Sequence, residues 1–222
     1  MGGMSAQIPI KGDEKANEVA MNKVKADKVR EVTYGHDGTW IAHPLINKIA
    51  IDVFNEYMPG PNQYHVRREE FQVSGADLLN AHIANGAITL DGIKSNVSAA
   101  LAYCTGWISG NGCIPLNFLM EDAATAEIAR VQLWQWAHYG ARLQSGETVT
   151  PELIDGVIGE VAPGITKVVA GVNNDQVQAS SEYLKSQIRK QWPSEFLTSD
   201  LMEYLERADG VESAQTWQKA SL

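Results

Sequence analysis

The sequence has little cysteine, little positive charge and no long apolar run. Its two cysteines, Cys104 and Cys113, exclude a disulfide framework and favour a reducing compartment. Eighteen Lys and Arg stand against 27 Asp and Glu, a net charge of -9, which argues against a nucleic-acid partner. No apolar stretch is long enough to cross a bilayer and no signal-peptide pattern opens the sequence, so no membrane partner is expected. A hydrophobic share of 44% is typical of a globular protein with a sizeable core.

The first 58 residues alternate strand-like and helix-like segments. Residues 1–10 are apolar and contain glycine, which predicts a buried strand, and a helix is predicted from Asp13 to Tyr34. Thr39 to Ala42 predicts a second buried strand that Pro44 stops, and Leu45 to Met58 is a strongly amphipathic helix. Strand, helix, strand, helix is the pattern of parallel α/β units.

The pattern changes at residues 59–63, where prolines and a glycine indicate a linker. Beyond it we find no convincing strand and expect an all-helical domain. The predicted helices are Thr89 to Trp107, Asp122 to His138, Pro151 to Val161, Gln176 to Gln191 and Ser199 to Ala208. The predicted fold class is therefore α/β followed by all-α.

Asp122 stands between an apolar run and a helix-forming run, directly after Glu121. Such a carboxylate meets the free N–H groups and the positive end of the helix dipole. Taken alone, this position has two interpretations. Asp122 is an N-cap, or it is a catalytic carboxylate held by a packed element. Glu121 is expected to orient the turn rather than to react.

Other residues that suggest chemistry have structural interpretations that we prefer. His36, Asp37 and His43 lack further residues at metal-ligand spacing, and no metal site is predicted from them. Cys113 has no evident base nearby and is predicted to be a packed, buried thiol. The glycines around Asn111 are expected to let the backbone turn tightly, since a phosphate-loop signature is absent.

The helix that follows Asp122 carries aromatic and charged residues. Trp134 and Trp136 are predicted to lie in the core rather than to bind a ligand. Glu127 and Arg130 are three residues apart and are predicted to form a surface pair of small energetic value.

Three strings together resemble one enzyme family. They begin at Gly35 (Gly-His-Asp-Gly-Thr-Trp-Ile-Ala-His-Pro), at Asn111 (Asn-Gly-Cys-Ile-Pro) and at Leu119 (Leu-Met-Glu-Asp-Ala-Ala-Thr-Ala-Glu-Ile). They are similar to malate synthase, in particular to its A-type form, which has a TIM barrel and a C-terminal helical plug. The resemblance implies that residues 1–58 are the last two strand–helix units of the barrel, with strands at residues 1–7 and 39–42. Residues 59–72 would be a linker and residues 73–222 the helical plug.

The resemblance also implies an activity. The family is an acyltransferase that condenses acetyl-CoA with glyoxylate and hydrolyses the product to malate and CoA, with Mg²⁺ as cofactor. Asp122 would be the catalytic base that removes a proton from the acetyl methyl group. Ala42, His43 and Pro44 would border the acetyl-CoA channel. The enolate-stabilising arginine and the Mg²⁺ ligands would precede Met1, so we expect the chain to hold no metal ligand, to be a fragment and to be inactive alone.

An alternative is a non-catalytic helical binding module derived from malate synthase. The expected location is the cytoplasm. The peroxisome is kept as an alternative, because Lys219 to Leu222 at the end of the sequence resemble the Ser-Lys-Leu targeting signal without matching it.

Overall fold

The structure is a computed structural model that describes residues 1–208. Within these residues lie eight α-helices, one 3-10 turn and two short strands. In chain order they are α1 (Glu14–Thr33), the 3-10 turn (Pro44–Ile46), α2 (Asn47–Tyr57), α3 (Gly75–Leu79), α4 (Leu90–Ile108), β1 (Ile114–Leu116), β2 (Leu119–Glu121), α5 (Ala123–His138), α6 (Pro151–Val168), α7 (Asn174–Arg189) and α8 (Leu197–Ala208). None of these helices is long and apolar enough to span a membrane. The last residues of the sequence, Lys219 to Leu222, lie outside the described part of the chain.

The chain divides into two compact units. The first contains Met1–Ala84 and the short segment Asn117–Met120. The second contains Asn85–Leu116 and the chain from Glu121 onward. The predicted linker at residues 59–72 falls inside the first unit.

In the first unit, α1 packs on α2 around a small apolar cluster of Val32, Val53 and Phe54. Helix α1 has the predicted ends, because Asp13 caps it by accepting a hydrogen bond from the Ala16 N–H at 2.9 Å. The sequence therefore indicates α1 and α2, two of the three helices of this unit.

The predicted strands at residues 1–10 and 39–42 are not formed as regular strands. They are reduced to one parallel bridge between Ser5 and Ile41. Ala6 instead pairs with the β2 segment by accepting a hydrogen bond from the Met120 N–H at 2.9 Å. The physical reason is that a lone parallel pair has few hydrogen bonds and is marginal without further strands beside it.

A buried lysine joins these two segments to α1. The Lys28 side chain is fully buried, and its ammonium group donates to the Gly3 carbonyl and to the Thr39 hydroxyl, each at 2.9 Å. Its charge is balanced by Glu31 at 3.1 Å. This contact could not be predicted, because a lysine on a polar helix gives no sign of burial in the sequence.

In the second unit, α4 is the central helix. It packs against α5, α6, α7 and α8, so it is buried almost all round from Ala99 to Gly106. Five of its residues at helical spacing are buried: Ile93, Val97, Ala100, Leu101 and Tyr103. Among the described residues of this unit, the regular elements are helices apart from β1 and the last residue of β2.

Helices α4, α5, α6 and α7 begin at side-chain caps, and the helices of the second unit end close to the predicted residues, with one exception. Helix α6 was predicted to end at Val161, but it continues through Pro163 to Val168. An internal proline costs a helix about 3 kcal/mol or more. The additional residues bury Ile165, which is 2% exposed, and this burial, about 1.5–3 kcal/mol, opposes much of the cost.

The two-stranded sheet was not predicted. Strands β1 and β2 are adjacent, and two residues connect them. Asn117 and Phe118 both have positive φ, as a type I′ hairpin turn requires. The strands have only three residues each, which is too short for an alternation of apolar and polar residues to be recognised.

Candidate active site

Asp122 lies at the start of α5 in extended conformation and caps the helix. Its Oδ1 accepts hydrogen bonds from the Thr125 N–H at 3.1 Å and from the Thr125 hydroxyl at 3.2 Å. Both bonds go to the same oxygen, so neither occupies Oδ2. The N-cap interpretation is therefore present in the structure, and it leaves the second carboxylate oxygen for another role.

The β1–β2 hairpin directly precedes Asp122 in the chain. Strand β2 ends at Glu121, whose side chain is buried, and Asp122 follows directly. Burial raises the pKa of the Glu121 carboxyl, a hydrogen bond from Thr125 opposes this shift, and the negative charge of Asp122 adds to it. Two neighbouring carboxylates thus have different surroundings, although they are adjacent in sequence.

A glycine lets the hairpin approach α4 closely. A Cβ atom at Gly106 would lie 2.1 Å from Ile114 Cδ1, so only glycine leaves room for Ile114 of β1 against the helix. The loop after α4 returns at once, because the Asn111 N–H donates to the Gly106 carbonyl at 2.9 Å. The glycine-rich stretch is therefore a tight turn at a packing contact.

Cys113 in this loop is exposed, so the prediction of a packed, buried thiol is wrong for it. The prediction fails because the loop residue precedes β1 and points away from the core that Ile114 enters. Partial burial and then the negative charge of Asp122 raise the pKa of the Cys113 thiol. Cys104 on α4 is buried, and this burial raises its pKa to about 12.

We expect Cys113 to react with a thiol reagent at neutral pH at least about 100-fold faster than Cys104, which is both buried and protonated. Asp122→Asn should speed labelling of Cys113, because removing the negative charge lowers the thiol pKa. Asp175→Asn, an exposed site on α7, is the matched control and should leave the rate unchanged. Stopped-flow labelling of variants that keep only one of the two cysteines measures both effects. Equal rates for Cys113 and Cys104 would contradict the first expectation, and a Cys113 rate unchanged by Asp122→Asn would contradict the second.

The Glu127–Arg130 pair is not on the surface, so that prediction is also wrong. Arg130 is 2% exposed and donates from Nε to Glu127 Oε2 at 2.7 Å. It is buried because α7 and the chain after it cover this side of α5. Of the two tryptophans, Trp134 is buried as predicted, whereas Trp136 is half-buried.

The predicted acetyl-CoA residues belong to the first unit, whereas Asp122 belongs to the second. Ala42, His43 and Pro44 line an open groove of about 350 Å³ together with Ile41 and Asn47. His43 Nδ1 accepts a hydrogen bond from the Leu45 N–H at 3.2 Å and so caps the 3-10 turn.

The motif that begins at Gly35 holds the following segment in place. His36 Nδ1 lies 2.8 Å from the Glu31 carbonyl, and Asp37 accepts from the Gln63 N–H at 2.6 Å. The Gln63 amide group donates to the carbonyls of Val32 and His36. Gln63 was not singled out from the sequence, because its partners are about 30 residues away.

No metal site forms in the part of the chain that the structure describes. Residues 1–208 contain no group of three or more His, Cys, Asp or Glu side chains that could hold an ion. The Mg²⁺ that the resemblance implies therefore does not fit these residues, and no chemical step is assigned to a metal.

Comparison with known proteins gives the same family for both parts of the chain. The profile described as "Malate synthase, TIM barrel domain" matches residues 1–81, and "Malate synthase, C-terminal" matches residues 87–205. The chain is 51% identical to a malate synthase of Myxococcus xanthus over 160 residues, which are 72% of this chain and 29% of that protein.

Two other relatives give similar values. Malate synthase A of Escherichia coli is 48% identical over 72% of this chain and 30% of its own length. A glyoxysomal malate synthase of Candida tropicalis is 39% identical over 90% of this chain and 36% of its own length. The chain spans about a third of the length of these relatives, and it belongs to the malate synthase family.

Proposed function

We propose that this chain supplies the catalytic base of a malate synthase, an acyltransferase of the glyoxylate cycle. The reaction joins acetyl-CoA to glyoxylate and hydrolyses the thioester of the malyl-CoA intermediate, which gives malate and CoA. Asp122 Oδ2 accepts a proton from the acetyl methyl group, and the resulting enolate carbon attacks the glyoxylate aldehyde carbon. The aldehyde C=O π electrons move to its oxygen, which takes up a proton and becomes the hydroxyl of malyl-CoA. The observation that carries this proposal is the asymmetric use of the carboxylate, with both hydrogen bonds on Oδ1.

The geometry suits a base that must act on a very weak acid. An acetyl methyl group loses a proton only to a base that is already positioned, against an enolate stabilised by other groups. The hairpin on one side and α5 on the other fix Asp122 without using Oδ2. The positive end of the helix dipole favours a negative charge at this position. Glu121, buried against Thr125, supports the turn and does not take part in proton transfer.

The remaining parts of the reaction are divided between this chain and the rest of the family's fold. Residues 1–58 form the end of the TIM barrel, 59–72 the linker and 73–222 the plug. The groove at Ala42, His43 and Pro44 borders the acetyl-CoA site. We assign the arginine that stabilises the enolate and the Mg²⁺ ligands to the part of a full-length malate synthase that this chain does not span.

A hybrid enzyme tests the proposal. Residues 1–222 replace the matching third of the Myxococcus xanthus malate synthase, and glyoxylate-dependent loss of the acetyl-CoA thioester is measured. The kcat of the hybrid should lie in the range of typical enzymes, about 1–1000 per second. The chain alone should show negligible CoA release.

The unmodified Myxococcus xanthus enzyme is the positive control, and circular dichroism confirms that the hybrid is folded. A folded but inactive hybrid would contradict the proposal and favour the non-catalytic binding module. CoA release by the chain alone would contradict the assignment of essential groups to the other part.

A further inference from the structure

One stripe of α5 binds the main chain of the connection between α7 and α8. Glu127, Arg130 and Trp134 lie on this stripe, at helical spacings of three and four residues. Glu127 Oε1 accepts from the Leu197 N–H, Arg130 Nη2 donates to the Ser194 carbonyl at 2.8 Å, and Trp134 Nε1 donates to the Lys190 carbonyl at 2.9 Å. Three consecutive anchor points therefore fix α5 to residues 190–197.

Of the charged residues of this stripe, Arg130 is buried and Glu127 is half-buried, and the bonding groups of both are occupied. Besides Ser194, the Arg130 guanidinium contacts Glu127 Oε2 through Nε at 2.7 Å and through Nη2 at 2.6 Å. Its Nη1 donates to Gln187 Oε1 at 3.0 Å, and the Gln187 amide group donates to Asp200 at 3.2 Å. A buried polar network that is satisfied in this way permits one arrangement of its helices, because any shift leaves buried charges without partners.

Glu127 also serves a second helix. Leu197 is the first residue of α8, so the Glu127 carboxylate accepts a bond from a free N–H at the start of that helix. Glu127 lies five residues after Asp122, which is the N-cap of the same helix. The position of α5 along its axis and its rotation are thus set against α8 close to the end that carries Asp122.

We propose that Arg130, acting with Glu127, is a positioning residue for Asp122, an inference that rests on the proposed function. The network holds α5 in the register that aims Oδ2 at the acetyl methyl group. A displacement of about 1 Å in a reacting group can cost about 100-fold in rate, even when the change that causes it is remote. The segment from Gln187 to Asp200 therefore contributes to turnover and not only to packing.

The test uses the hybrid enzyme with Arg130→Lys. Lysine keeps the charge and reaches one or two of the partners, but it lacks the planar fork that holds Glu127, Gln187 and Ser194 together. We expect kcat to fall about 10- to 100-fold while KM changes less than about threefold. Ile154→Val, a small truncation at a fully buried site on α6, is the control for general loosening and should leave kcat within about twofold.

A double variant separates positioning from packing. If Arg130 acts through Asp122, then Arg130→Lys should cost less than about threefold in a protein that already carries Asp122→Asn. Full multiplication of the two losses would overturn the inference, as would an unchanged kcat in the single Arg130→Lys variant. Should Arg130→Lys fail to fold, Glu127→Gln carries the same test, because it keeps an acceptor for Leu197 and removes only the charge partner.

The failure of the inference differs from the failure of the proposed function. If Asp122→Asn alone removes turnover and the Arg130 and Glu127 variants keep it, only the positioning role falls. If Asp122→Asn keeps turnover, the proposed function falls, and the positioning role falls with it.

Discussion

Asp122→Asn in the hybrid enzyme should lower kcat by about a thousandfold and leave KM nearly unchanged. The amide cannot accept the methyl proton, so the chemical step loses its base. Asparagine is as good an N-cap as aspartate, and its oxygen can still accept both Thr125 bonds. Steady-state kinetics with acetyl-CoA and glyoxylate measures the effect, and thermal unfolding should show no large loss of stability.

Asp13→Asn is the matched control for this substitution. Asp13 caps α1 with the same type of bond, from the Ala16 N–H to Oδ1 at 2.9 Å, and it has no assigned role in the reaction. Its kcat should stay within about twofold of the parent. If the Asp122→Asn enzyme kept more than about a tenth of its turnover, the role of catalytic base would be refuted.

Leu101→Ala should lower the free energy of unfolding of the second unit by about 3–5 kcal/mol. Leu101 is fully buried on α4, the helix that contacts α5, α6, α7 and α8. Truncation removes apolar contacts and leaves a cavity that the surrounding helices can only partly fill. Urea unfolding of the chain, followed by tryptophan fluorescence, measures the change.

Ile128→Ala is the control for this prediction. It also shortens an aliphatic side chain on a helix, but Ile128 on α5 is 61% exposed and should change stability by less than about 0.5 kcal/mol. A similar loss in both variants would mean that α4 is not the centre of the unit.

The helices could be predicted from the sequence because their ends are marked locally. Thr89, Asp122 and Thr150 each accept a bond from the backbone three residues later, and the sequence shows them before amphipathic runs. The end of α6 could not be predicted, because the gain from burying Ile165 is decided by tertiary packing. The prediction of strands at residues 1–10 and 39–42 is wrong for a related reason, since a parallel strand depends on partners that are distant in sequence.

For the candidate site, the sequence identifies the candidate catalytic residue but does not show the long-range contacts around it. Asp122 is identified by its motif and is confirmed as an N-cap, whereas its role as a base stays a prediction. The i,i+3 spacing of Glu127 and Arg130 predicts that they can pair. It does not predict that Arg130 also donates to Gln187, which lies 57 residues further along the chain. Contacts over such separations leave no periodic signal in the sequence.

The Lys28 contacts have a consequence for the order in which the first unit assembles. Gly3 is held by an ammonium group 25 residues later, and that group is also bound to Thr39. Helix α1 can form from local bonds alone, but the first residues gain their anchor only after α1 and Thr39 are in place. Gly3, which precedes both α1 and Thr39 in the chain, is thus among the last parts of its unit to become fixed.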